Sequence, residues 1–471
     1  MQSRIRKSRI PAPLRGLALA ALAALLTSPA AVADDGAVHE YRLDNGLRLI
    51  VKEDHRAPVM VSQIWYKVGS SYEHGGITGL SHVLEHMMFK GTKKHPPSEF
   101  SRIIAANGGR ENAFTGQDYT AYFQTMEKSR LPVSFELEAD RMRNLVLKEE
   151  EFRKEVKVVM EERRMRTEDN PQALTYEQFM AAAWVSSPYH NPIIGWIDDL
   201  EHMELADLGA WYRRWYAPNN ATLVVVGDVD PDAVHAQAVK FFGPLEPSRL
   251  KPLKPRREVK QRGEKRIVVE APAELPFLTL GYKTPSLKTA AEDWEPYALD
   301  VLAGVLDGGE SARLATRLVR GRAIATSAGA GYDLYDRLET LFVLQGTPAA
   351  GHDVDELEKA LRAEVKALQE KPVSDEELKR VKAQITAAKI FALDSIFYQA
   401  MQIGRLETVG LDWQEIDRYT ERVQAVTAAQ VQAVAKKYLV PEGLTVARLK
   451  PLPIDPKHPP RRNSAGGGHV R

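Results

Sequence analysis

Two distant stretches of this chain repeat one pattern. Residues 205–229, "LADLGAWYRRWYAPNNATLVVVGDV", and residues 427–449, "TAAQVQAVAKKYLVPEGLTVARL", each read as a helix ending at a tyrosine, a Pro-bearing turn and a buried strand. Tyr216 and Tyr438 mark the shared point. A recurrence at this spacing implies two copies of one α+β unit of about 200 residues. The chain has 471 residues, too many for one ordinary core. Hydrophobic content of 44% and charged content of 27% allow a large core and exclude a chain disordered as a whole.

The units read as 37–245 and 267–453, joined by a linker at 246–266 and followed by a disordered tail at 454–471. In the first, "EYRLDNGLRLIVKED" and "PVMVSQIWYKVG" are strands, with a turn at Asp44, Asn45 and Gly46. Helical periodicity follows at about 79–89, 100–106 and 129–166, with an interruption near Leu147, and a helix starts at Pro231. The tract "SRLKPLKPRREVKQRGEKR" is basic, Pro-punctuated and free of apolar periodicity. It reads as a solvated linker, since a nucleic-acid patch would interleave aromatics. The pattern then restarts with strands "RIVVE" and "FLTLGYKTP" and helices "DWEPYALDVLAGVLDGG", "GHDVDELEKALRAEVKALQEK" and "SDEELKRVKAQITAAKIFALD".

The first 33 residues have the layout of a secretory signal peptide: a basic start, the apolar run "LALAALAALL" and the small-x-small sequence Ala31-Val32-Ala33. Cleavage after Ala33 is expected. The run is about half the roughly 20 residues a membrane span needs, so no membrane anchor is expected. Removing Arg4, Arg6, Lys7, Arg9 and Arg15 takes the formal charge from +1 to −4, which gives no argument for nucleic acid. The chain has no cysteine, hence no disulfide and no thiolate metal ligand. These features together point to a soluble periplasmic protein.

The chemistry concentrates in "SHVLEHMMFKGT", residues 81–92. On a helix His82 and His86 share one face, and two imidazoles so placed can bind one zinc ion. Glu85 borders the same place and could take a proton from a water that zinc acidifies. "GGITGL" ahead of the helix reads as a compact, mobile lead-in, and Gly91 as its stop. Catalytic zinc usually has three protein ligands and a water. Without cysteine, the third must be a histidine or carboxylate on another element. "EEEFRKEVKVVMEERRMRTEDN" is crowded with candidates. Glu155 and Glu162 lie two turns apart on one face, with Val158 and Val159 between them. The plainer reading is a solvated face of Glu149, Glu150, Glu151, Glu161 and Glu162 paired with Arg163, Arg164 and Arg166. Spacing alone does not choose Glu162 over Glu161.

The mature chain resembles the pitrilysin and mitochondrial-processing-peptidase family of zinc peptidases, whose inverted motif is His-x-x-Glu-His. The resemblance is carried by "GLSHVLEHMMFKGT", "NAFT", "EVKVVMEERRMR", "NPIIGW" and "YAPNNATLVVVGDV", in the family's order and near its spacing. It implies two homologous α/β-sandwich domains, each a mostly antiparallel sheet with helices packed on it, together forming half of a clamshell. The zinc domain would come first, and the second copy would lack the motif. It implies that His82, His86 and Glu162 hold one Zn2+ per chain, that Glu85 is the catalytic base, and that Glu155 orients the site. It makes "ENAFTGQDYTAYF" an edge strand to which an extended peptide adds, with Asn112, Ala113 and Phe114 along its path. The activity implied is hydrolysis of peptides or unfolded segments.

One departure bears on partners. Family members that act alone tend to carry an arginine and, seven residues later, a tyrosine in the second half, which hold substrate and oxyanion. In "SARLATRLVRGRAIATSAGAGY" those places fall on Val319 and Thr326, while Arg320 and Tyr332 are at the wrong spacing. A heterodimer is therefore expected, rather than a homodimer, with a homologous partner subunit supplying the pair. Two rivals remain: a non-catalytic or peptide-binding subunit of a processing-peptidase-like complex, and an exported metal-binding protein with no use for Glu85. Substrate and cleavage preference are not legible in the sequence.

Overall fold

The computed structural model describes residues 36–254 and 256–454; the expected signal peptide and the tail from residue 455 lie outside the described residues. The first sheet is built from β1 (Val38–Arg42), β2 (Arg48–Glu53), β3 (Val59–Tyr66), β4 (Arg110–Thr115), β5 (Thr120–Glu127) and β6 (Ala221–Gly227). Its order is β1-β2-β6-β3-β5-β4, antiparallel throughout except for the parallel pair β2/β6. The second sheet holds β7 (Lys265–Pro272), β8 (Phe277–Thr284), β9 (Ala325–Gly331), β10 (Thr340–Pro348) and β11 (Leu444–Leu452), in the order β7-β11-β8-β10-β9. It too is antiparallel apart from one pair, β7/β11. Without β1 the two orders coincide, so the repeat seen in the sequence is a repeat of topology.

The helices of the first half are α1 (Leu80–Met87), α2 (Glu99–Ala106), α3 (Leu131–Asn144), α4 (Glu149–Arg163), α5 (Pro171–Ala183), α6 (Ile197–His202), α7 (Leu205–Trp215) and α8 (Pro231–Phe242). Those of the second are α9 (Trp294–Asp307), α10 (Val354–Glu370), α11 (Asp375–Ala392), α12 (Ile396–Val409), α13 (Glu415–Ala425) and α14 (Ala428–Tyr438). The repeat segments are α7 leading to β6 and α14 leading to β11. Between them stand the short turns Pro218–Asn220 and Pro441–Gly443, where proline suits the first helical position.

Strand side chains alternate between faces, and here both faces are buried. On β3, Met60, Ile64 and Tyr66 join the core beneath the first half's own helices. Val61 and Trp65 on the opposite face join Ala400 and Ile403 of α12, a helix of the second half. The second sheet reciprocates: α5 of the first half lies on it, with Phe179 and Ala183 against Leu341 and Ala447. This double burial accounts for the unbroken apolar run of β6. Each crossing is tight. A Cβ on Gly404 of α12 would stand 2.1 Å from Nε1 of Trp65, and one on Gly281 of β8 would stand 2.3 Å from Phe179.

The described residues of 246–263 carry no helix or strand and are mostly exposed, but the side chain of Glu258 is buried. Its buried carboxylate accepts from Val185 N (3.0 Å), Ser186 N (2.9 Å) and Ser187 N (2.8 Å) and from Lys283 Nζ (2.7 Å). These donors hold its carboxyl down at about 2 against the opposing cost of burial. Glu258 thus ties the basic tract to both halves at once, between Ser248, which bonds Asn219, and Gln261, which donates to Leu444 O.

Candidate active site

The eight residues of α1 bury Leu80, Val83, Leu84 and Met87 in the first core, which leaves the face of His82, Glu85 and His86 to point elsewhere. The α-helix ends at Met87, four residues before Gly91. Phe89 N bonds His86 O and Lys90 N bonds Met87 O, so the winding tightens into turns before the glycine.

The lead-in "GGITGL" is tied down, against the expectation of a mobile segment. Glu73 is buried, and its carboxylate accepts from Gly79 N (2.8 Å) and Ser81 N (2.6 Å), capping two of the free amides of α1. Gly79 itself has φ +87°, a left-handed conformation that favours glycine. Asp199 of α6 accepts from Gly76 N (3.1 Å) and Thr78 N (3.0 Å).

α4 runs alongside α1. The choice between adjacent glutamates is made by burial: Glu162 has 9% of its side chain exposed and Glu161 has 51%. Glu161 pairs with Arg164 on the outside, as the plain surface reading expected. Glu162 turns inward. Its Oε1 lies 3.9 Å from His82 Nε2, and its Oε2 lies 3.4 Å from His86 Nε2. Val158, placed on this face by sequence spacing, is 45% exposed, whereas Val159 is fully buried. A helix turns 100° per residue, and here the buried arc of α4 takes in Val159 while its neighbour Val158 falls outside it.

Ligand atoms of His82, His86 and Glu162 all lie within 4.8 Å of one another. Zinc bonds of about 2.0–2.1 Å give a tetrahedron with edges of about 3.4 Å, so the pairs already seen are close to ligating distance. The donor set of two imidazoles and one carboxylate is one that zinc accepts. Burial and the neighbouring His86 pull His82 down to about 4, leaving its ring neutral and able to ligate. Burial also acts to lower His86, but hydrogen bonds to Glu155 and Glu162 outweigh it and push the ring up to about 9. Burial opposes the charge on Glu162, yet His86, His82 and Arg166 hold its carboxyl at about 2. A proton on His86 thus stands where a metal ion would compete for the same site.

Glu155 Oε2 lies 3.2 Å from His86 Nδ1, and its Oε1 takes Lys90 Nζ at 2.6 Å. Glu85 accepts from Thr115 Oγ1 at 2.6 Å, and burial raises its pKa while that bond opposes the rise. Thr115 ends β4, the last strand of the first sheet. Asn112, Ala113 and Phe114 stand on the same strand. Phe114 packs edge-on to Trp65 with ring centroids 5.3 Å apart, and Asn112 Oδ1 accepts from Ala113 N. All eight residues singled out in the sequence come together here. Seven of them line a cleft of about 730 Å³, and Glu155 stands behind His86. The second half closes the cleft with Asp333, Asp336 and Arg405.

Sequence reasoning missed Glu73, Lys90 and Thr115, and placed Arg166 only on a solvated surface face. Lys90 and Thr115 lay inside quoted motifs, but nothing in their spacing shows what they touch. Val319 and Thr326 hold no cleft position: Val319 packs on the second core and Thr326 Oγ1 donates to Thr347 O. Arg320 pairs with Glu310, and Tyr332 donates to Pro285 O at 2.5 Å.

The chain is similar to known proteins. Residues 48–196 match the family model "Insulinase (Peptidase family M16)", and residues 202–385 match "Peptidase M16 inactive domain". The chain is 33% identical to zinc protease PqqE of Helicobacter pylori over 87% of its own length and 92% of that protein's. It is 28% identical to an uncharacterized zinc protease of Streptomyces coelicolor, covering 86% and 88%. Among solved structures, a protease from Helicobacter pylori superposes with a TM-score of 0.83 and 31% identity, over 88% of this chain and all of that one. The periplasmic protease PqqL from Escherichia coli shares the fold, with a TM-score of 0.74 at 18% identity; 91% of this chain corresponds to 51% of that chain. Fold, paired sheets and a His-His-Glu cluster define the class of zinc-protease-like proteins. The chain belongs to peptidase family M16.

Proposed function

We propose that this protein is an exported zinc-dependent endopeptidase acting on peptides or unfolded segments in the periplasm. The observation that carries the reading is the meeting of His82, His86 and Glu162 from two helices, with Glu85 beside them facing the same cleft. His82, His86 and Glu162 would hold the metal, and Glu155, braced by Lys90, would fix the ring of His86. Bound zinc would acidify a water and polarise a peptide carbonyl. Glu85 takes up a proton and delivers it to the leaving amine. Its raised pKa suits a group that must both accept and release a proton. An extended substrate would pair with the outer edge of β4, passing Asn112, Ala113 and Phe114.

We further propose that a homologous partner subunit completes the enzyme, supplying an arginine and a tyrosine. Val319 and Thr326 cannot act as that pair, and this chain corresponds to about half of PqqL. The test is zinc stoichiometry together with cleavage of a mixed peptide library, with and without candidate partners. One zinc per chain and cleavage only with a partner is the expected result. Full activity of the isolated chain would remove the partner, and stoichiometric zinc with no cleavage in any combination would remove the enzyme.

A further inference from the structure

The tract "ERRMRTE", residues 162–168, holds three arginines, and the fold sends them three ways. Arg163 is buried, donating to both oxygens of Glu177 (2.7 and 2.9 Å) and to Gly195 O (2.9 Å). Arg164 pairs with Glu161 on the outer surface. Arg166 turns into the cleft, where its Nη1 meets Glu162. The spacing of four residues stacks it over that glutamate, and the chain here winds as a π turn, Arg164–Glu168, an irregularity frequent at functional sites.

This guanidinium shares its carboxylate with two imidazoles. A cation held by His82, His86 and Glu162 takes up the charge of Glu162 and repels Arg166. The Arg166 side chain is 47% exposed into the cleft and offers a planar fork of five donors. The other arginine lining the cleft, Arg405, is already paired with Asp333 and lies 3.6 Å from Asp336. Of these two, Arg166 is the one whose partner the metal claims.

We propose that Arg166 is the specificity-determining contact of this cleft. With Glu162 engaged by metal, its fork grips a carboxylate of the substrate, either an acidic side chain near the scissile bond or the C-terminal carboxylate. The inference deepens the metallopeptidase reading and rests on it. A charge-assisted pair in a partly dry cleft corresponds to a preference of about tenfold to a hundredfold.

The test uses twin peptides differing as Glu against Gln at each position near the cleavage site, and as free acid against amide at the C-terminus. Zinc-loaded protein, with its partner where activity needs one, should favour the carboxylate twin in kcat/KM by about tenfold or more. The twin series that shows the preference tells side chain from terminus. In Arg166→Gln the ratio should fall toward one, and Arg166→Lys, which keeps the charge but loses the fork, should fall between. Zinc affinity by chelator competition should be equal or several-fold tighter in Arg166→Gln, because a like charge has gone. An unchanged ratio, or weakened zinc binding, overturns the proposal. If wild type cleaves nothing, the enzyme reading fails on its own. Fluorescence anisotropy of the same twins on zinc-loaded Glu85→Gln then decides: a carboxylate preference that Arg166→Gln abolishes upholds the contact, and no preference overturns it.

Discussion

The two halves share one strand order but fill the space between their corresponding helices differently. In the first, α1 and α4 bring together His82, His86 and Glu162, three groups that could hold a metal ion. In the second, α9 and α11 also pack against each other, and a lysine of α11 is held among aromatic side chains. Lys389 lies 5.4–5.9 Å from the ring centroids of Tyr335, Tyr398 and Tyr419 and donates to Gln402 Oε1 at 2.8 Å. Burial pulls its amine down to about 8 while Asp300 on α9 opposes that pull. Tyr419 in turn donates to Asp300 Oδ2 at 2.5 Å. The scaffold therefore does not demand a metal. A lysine, an aspartate and a ring of tyrosines occupy this helix pair, whereas in the first half Lys90 and Arg166 pair with Glu155 and Glu162 at the edge of the cluster and two imidazoles stand at its centre.

The largest effects should separate the halves outright. Glu162→Ala or His82→Ala should take zinc from about one per chain to near none, while Lys389→Met leaves zinc in place. Metal analysis of purified variants checks this, and loss of zinc in Lys389→Met would erase the distinction. Next, Glu85→Gln should keep its zinc and lose about 10²–10⁴-fold in kcat, measured on any cleaved peptide. Comparable turnover would move the base elsewhere. Glu155→Gln should weaken zinc affinity or activity by about 10–100-fold, read by chelator competition.

Two smaller effects test how the halves depend on each other. Gly404→Ala and Gly281→Ala should each destabilise by about 1–3 kcal/mol, since a methyl group must displace Trp65 or Phe179. Thermal unfolding should remain a single transition in both, because each sheet is roofed by a helix of the other half. A separate transition for one half would show that the exchange is not what binds them. The smallest effect concerns Asp300, whose carboxyl burial pushes up to about 6. An acid with a raised folded pKa destabilises as pH climbs from about 4 through 6, because the unfolded chain loses its proton first. Asp300→Asn should therefore gain on the order of 1–2 kcal/mol at pH 7–8 and nothing below pH 4, followed as Tm against pH. No comparable gain is expected to change zinc binding in the first half.

Much of this was legible in the chain itself. The echo around Tyr216 and Tyr438 announced the doubled unit, and the spacing of His82, Glu85 and His86 placed three groups on one face. Both depend on short-range periodicity, which a sequence records directly. Glu155 and Glu162 were visible as a pair on one face, but the rival Glu161 was equally available, because rotation of a helix about its axis is set by what it packs against.

What only tertiary structure decided are contacts between residues far apart in the chain. Burial against α1 chose Glu162 over Glu161 and separated Val159 from Val158. The exchange of α5 and α12 has no local signature, since an apolar helix face does not say which sheet will receive it. Glu258 sits in a basic, Pro-rich tract that reads as solvated, and becomes a clasp only where three backbone amides and Lys283 converge on it. Glu73 and Arg166 belong to the same class: their composition is ordinary, and their meaning lies in which carboxylate or amide the fold brings within reach.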